Sequence, residues 1–71
     1  MIKVSSIKCS DCTYEARVAE VAENPGTYLA SVAQLPQNVT VWMFHTGRLS
    51  EAKQLAEDAC RSFAANYSFA N

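Results

Sequence analysis

The run Val39-Thr40-Val41-Trp42-Met43-Phe44 constrains the fold of this chain more than any other stretch. β-Branched and aromatic side chains suit a pleated surface, so the run predicts a strand. Alternation puts Val39, Val41 and Met43 on one face and Thr40, Trp42 and Phe44 on the other. Both faces are largely apolar, so the strand belongs in the middle of a sheet, or its second face meets a partner. Thr27 to Leu35, carrying Tyr28, Leu29 and Val32, reads as another strand. The intervening turn, Leu35-Pro36-Gln37-Asn38, is short enough to make the two an antiparallel hairpin.

The remaining elements follow from periodicity. Ile2, Val4 and Ser6 alternate with Lys3 and Ser5, which predicts a first strand ending near Ile7. From 13 to 23, Tyr14, Val18, Val21 and Ala22 fall on one face of a helix ended by Asn24-Pro25-Gly26, and Ser10 or Asp11 would cap it. A strand through Ala16, Arg17 and Val18 is the alternative. Asn24-Pro25-Gly26 is then a hairpin turn, and Glu20 and Glu23 no longer sit at a helix carboxyl end, where the dipole disfavours them. His45-Thr46-Gly47-Arg48 reads as a loop. Ser50 then caps a helix with Ala52, Leu55, Ala56, Ala59 and Phe63 as its buried stripe and Lys53, Gln54, Glu57, Asp58 and Arg61 in water. Tyr67-Ser68-Phe69-Ala70 alternates and predicts a last edge strand. The order strand, helix, strand, strand, helix, strand implies an α+β, ferredoxin-like βαββαβ sandwich: one antiparallel sheet with two helices on one face, in a single domain over 1–71.

The totals exclude several function classes. A net charge of −1 with scattered Lys and Arg leaves no basic footprint for nucleic acid and no polybasic membrane anchor. No run approaches the ~20 apolar residues of a membrane span, and the first residues lack a signal-peptide pattern. Three cysteines cannot complete a disulfide framework. A cytoplasmic protein with reduced thiols is the expectation. No nucleophile motif and no phosphate-binding glycine loop is present, so an enzyme is not expected. The chain is short, and domains of this size often need a metal, a disulfide or a partner as a staple.

Chemistry concentrates in Cys9-Ser10-Asp11-Cys12. Two thiols three positions apart can grip one soft metal ion, form a disulfide, or simply pack. Cu(I) suits two sulfur ligands. Zn(II) wants four, so it needs more donors. A helix amino terminus at this loop would lower the pKa of Cys12, and Asp11 would oppose that. Cys60, beside the apolar stripe of the second helix, is a candidate third ligand or a small core residue. His45 would lie at the far end of a ferredoxin-like sheet. If 13–32 is a hairpin instead, Cys9, Cys12, His45 and Cys60 together become a candidate structural zinc site.

The strand-loop context of Ser6-Ile7-Lys8-Cys9-Ser10-Asp11-Cys12 resembles the Gly-Met-x-Cys-x-x-Cys loop of the heavy-metal-associated domain, the module of copper chaperones and metal-pump tails. Pro25-Gly26 falls near that family's Pro-Gly-Val turn, and Gly26 to Phe44 follows its strand-turn-strand spacing. Ser6-Ile7 replaces Gly-Met, Thr27 replaces Val, and the Gly-Tyr or Gly-Phe closing the second helix is missing. The resemblance implies a ferredoxin-like fold and metal ligation by Cys9 and Cys12, and nothing is carried over beyond those two residues.

Two functions from different classes stand open. One is a small cytoplasmic carrier holding Cu(I) or Zn(II) on Cys9 and Cys12 and passing it to an acceptor protein's thiols. The other is a compact protein-interaction module, such as a phage-encoded, anti-CRISPR-like inhibitor of a host defence complex. Its cysteines would be incidental and its contact patch built on Trp42, Phe44 and Tyr28; the plainer reading of those aromatics is core. A thiol-redox protein is a weaker third. A monomer or a weak homodimer fits either of the first two.

Overall fold

In a computed structural model describing residues 1–70, with side chains through Tyr67, the chain runs β1 (Ile2–Lys8), β2 (Thr13–Glu20), β3 (Tyr28–Leu35), β4 (Val39–Thr46) and α1 (Leu49–Ala70). The strands form one antiparallel meander in the order β1-β2-β3-β4. The α+β class holds, but the two-helix βαββαβ arrangement does not: the order is ββββα.

The first expected helix is β2. Its buried residues Tyr14, Ala16 and Val18 alternate with the half-buried Thr13, Glu15 and Arg17, a period of two. Arg17 bonds Glu15 two residues away, a contact that suits two side chains on one face of a strand. Helical spacing also fitted this segment. The strand is selected because it hydrogen-bonds on both sides, to β1 and to β3. Neither Ser10 nor Asp11 therefore caps a helix. Asn24-Pro25-Gly26 lies in the β2–β3 turn, closed by Val21 N–H to the Thr27 carbonyl at 2.9 Å, with Gly26 at φ 90°. Only glycine takes that φ without strain.

The link from β3 to β4 carries a cis Leu35–Pro36 bond and Asn38 at φ 61°, a conformation Asn tolerates better than most residues. Strand β4 lies at the sheet's edge, not in its middle. It includes His45 and Thr46, which were expected to be loop. A register shift between Val32 and Ala33 leaves Val41 as an extra residue, since Val32 pairs with Trp42 and Ala33 with Thr40. Strict alternation therefore breaks: Val39 joins Trp42 and Phe44 on the helix side, and Thr40 joins Met43 on the open side.

The helix starts at Leu49, one residue before the expected Ser50 cap. The Ala52 amide donates to the Arg48 carbonyl at 2.9 Å, and Thr46 donates its hydroxyl to the Glu51 carboxylate. Tyr67 to Ala70 continue this helix rather than forming an edge strand. Ala52, Ala56, Cys60 and Ala64 recur every fourth residue as its buried stripe, over Ala16, Val18, Ala30 and Val32. Leu55, Ala59 and Phe63 flank the stripe partly buried. Small side chains on both layers let helix and sheet approach closely, and the largest fully buried ones are Val18, Val32 and Cys60. The helix covers one face of the sheet; the other face, with the Glu15–Arg17 pair, has no second layer among the described residues. No described helix is long and apolar enough to cross a membrane.

Candidate functional site

The thiol loop is the short connection of the β1–β2 hairpin, not a strand-to-helix loop. Lys8 pairs with Thr13, and the Cys9 amide donates to the Cys12 carbonyl at 2.8 Å, so the cysteines face each other across the end of the β1–β2 hairpin. Cys12 shares the helix-side face with Tyr14, Ala16 and Val18, and the pairing puts Cys9 on that face too. Cys12 is only 8% exposed and Cys9 is half-buried.

The carboxyl-terminal half of α1 reaches this loop. Tyr67 donates its hydroxyl to the Asp11 carboxylate and lies 3.1 Å from the Ser10 Oγ. Beneath them Tyr14 stacks on Phe63 at 5.7 Å and meets Tyr67 edge-on at 6.3 Å. The expected helix amino terminus beside the thiols is replaced by the far part of a helix, whose dipole gives a thiolate no support. Desolvation pushes the Cys9 thiol up from its ordinary value, helped by the charge and hydrogen bond of Cys12 and the charge of Asp11. Desolvation and Cys12 likewise raise the Tyr14 phenol. A shallow cleft of about 340 Å³ opens beside the loop, bordered by Lys8, Asp11, Leu35 and Pro36.

The other candidate ligands do not join. Cys60 is fully buried and its thiol donates to the Tyr14 carbonyl at 3.3 Å, so it is a core residue satisfied by backbone. Burial raises its pKa, more than a backbone hydrogen bond lowers it. His45 pairs with Leu29, near the end of the sheet away from the Thr13–Leu35 pair and the thiols. The hairpin reading of 13–32 is right, yet the four-ligand zinc site it suggested does not assemble. Among the described residues no group of three or more His, Cys, Asp or Glu side chains could hold a metal. Two facing thiols are what the fold provides.

A second candidate surface lies on β4. Phe44 is 53% exposed and stacks on Trp42 at 6.5 Å, while Trp42 and Tyr28 are partly buried against the core. Val39 and Met43, not singled out from the sequence, are 52% and 55% exposed. The signal for them was the run with two apolar faces; an edge position turns that property outward.

Compared with family models, with curated proteins and with solved structures, the chain gives no match. The fold implied by the resemblance to the heavy-metal-associated domain is not the one found, because that module puts its thiols before a helix and this chain puts them in a hairpin turn.

Proposed function

We propose that this chain is a compact protein-interaction module that engages its target through edge strand β4. One observation carries the reading: Val39, Met43 and Phe44, all more than half exposed, lie on one edge strand. An edge strand offers unpaired N–H and C=O groups, and proteins usually blunt such edges with charge, proline or a covering loop. β4 has a bulge at Val41 but no Lys, Arg, Asp or Glu from Val39 to Thr46. A partner that adds an extended segment along β4 gains main-chain hydrogen bonds there, and apolar anchors on alternate faces supply specificity.

The test replaces Phe44 with a photoreactive benzoyl-phenylalanine in the native cells, with Gln54 on the wet face of α1 as comparator. The expected result is a crosslink to one and the same protein from position 44, absent from position 54 and abolished by Met43→Glu. Equal adducts at both positions, or adducts to this chain alone, reject the proposal.

A second reading, a soft-metal carrier, is supported by the facing of Cys9 and Cys12. Two thiolates suit Cu(I), which would pass to an acceptor by ligand exchange; Zn(II) would need donors from elsewhere. Titration of the reduced protein with Cu(I) against a competing chelator decides it. Tight binding lost in both Cys9→Ser and Cys12→Ser supports the carrier, and weak binding unchanged in either variant removes it.

A further inference from the structure

We propose that Cys9 and Cys12 are a redox modification site: they close a reversible disulfide across the β1–β2 turn, with a low-molecular-weight disulfide as oxidant, while Cys60 stays reduced. The backbone is already arranged for the bridge. The 2.8 Å bond from the Cys9 amide to the Cys12 carbonyl sets the two residues opposite each other, one step beyond the Lys8–Thr13 pair. Directly opposed residues of antiparallel strands hold their Cα atoms about 4.5–5.5 Å apart, inside the roughly 4.4–6.8 Å range of disulfides. The two side chains lie on the same face of the hairpin, where Cys9 packs against the core cluster that contains Cys12. Three positions of separation close the smallest ring in which the cysteines can face each other across a hairpin connection.

Exposure assigns the roles. Half-buried Cys9 is reachable from solvent; Cys12 is only 8% exposed. The Cys9 thiolate attacks one sulfur of the small disulfide, forming a mixed disulfide and expelling one thiolate. The Cys12 thiolate then attacks the Cys9 sulfur, forms the internal bridge and expels the second. The two protons lost by the protein thiols end on the two released small thiols. The protein dithiol is oxidised by two electrons and the small disulfide is reduced by two. Cys60 cannot take part, because its thiol is fully buried and bonded to the Tyr14 carbonyl. Oxidation also removes both candidate metal ligands, so bridged and metal-loaded forms exclude each other. The proposal does not depend on the β4 surface.

The full reduced chain is equilibrated with graded mixtures of oxidised and reduced glutathione, quenched by alkylation, and analysed by intact mass and peptide mapping. The expected product is lighter by two hydrogens, bridged Cys9 to Cys12, with Cys60 alone alkylated after denaturation. Cys12→Ser stops at a glutathione adduct on Cys9, and Cys60→Ala still forms the bridge; should that variant not fold, the wild-type peptide map assigns the bridge. Folding preorganises the pair, so the bridge forms at a several-fold lower ratio of oxidised to reduced glutathione than in denaturant. Three alkylated cysteines across the whole range, a bridge through Cys60, a persistent adduct on the wild type, or equal ratios folded and unfolded each overturn the proposal.

Discussion

Tyr67, near the end of the helix, donates a hydrogen bond to the Asp11 carboxylate at the tip of the first hairpin, 56 residues away in sequence. The contact ties the last turns of α1 to the connection that carries Cys9 and Cys12. With Tyr14 and Phe63 beneath it, it makes the thiol loop a packed corner of the molecule rather than a free tip.

Removing that hydroxyl isolates the contact. Tyr67→Phe keeps the ring and loses the bonds to Asp11 and Ser10. The expected cost is about 1 kcal/mol in urea unfolding, the scale of a single hydrogen bond. Cys9 alkylation should also quicken in the folded variant. Unchanged stability and unchanged alkylation would show that the latch holds nothing.

The thin core makes a sharp demand on residue size. Ala56 is fully buried in the stripe facing the sheet. Ala56→Leu forces the helix outward and should destabilise by about 1–3 kcal/mol, as overpacking does. Val32→Ala, at a fully buried position, should cost about 2 kcal/mol by lost burial and a residual cavity. Denaturant midpoints check both, and a neutral Ala56→Leu would mean the layers are further apart than described.

Alkaline pH should unfold the protein early. Desolvation raises Cys9 and Cys60 above 9.0 and Tyr14 above 10.0. Each folded value lies above its unfolded value, so the folded state holds these protons more tightly. That contribution is complete below the unfolded values, and is lost as pH climbs through the folded ones. Urea midpoints should be level near neutrality and fall above about pH 9. Cys60→Ala should soften the fall, and a flat profile through that window contradicts the assignment.

Surface variants on β4 should separate binding from folding. Phe44→Glu and Met43→Glu replace exposed side chains, so their unfolding midpoints should stay within about 0.5 kcal/mol of the parent. Partner crosslinking from a neighbouring β4 position should nevertheless vanish. A large loss of stability in either would identify the side chain as core.

Sequence patterns read the helix of 49–70 correctly as far as its central turns, because its small apolar residues recur at helical spacing against a charged opposite face. They also read the strand Val39–Phe44 and its partner. Tyr14, Val18, Val21 and Ala22 misled toward a helix, because over so short a span periods of 2 and 3.6 share positions, while Ala16, Arg17 and Val18 fitted the strand that forms. At 67–70 alternation was a coincidence inside a helix that simply continued. The Cys9–Cys12 spacing was legible, but whether a helix or a strand follows such a pair is not a local property.

Residue type settled that Val39 to Phe44 would be a strand with two apolar faces, since β-branching and aromatic bulk act within the chain itself. Whether that strand would be enclosed or left at a rim depended on how many partners the meander could bring beside it, and the chain passes directly from β4 into α1. Long-range pairing likewise turned 13–20 into the inner neighbour of β1, brought Tyr67 onto Asp11, and left His45 remote from the thiols. Those outcomes rest on hydrogen bonds and burial between segments distant in sequence, which no local periodicity encodes.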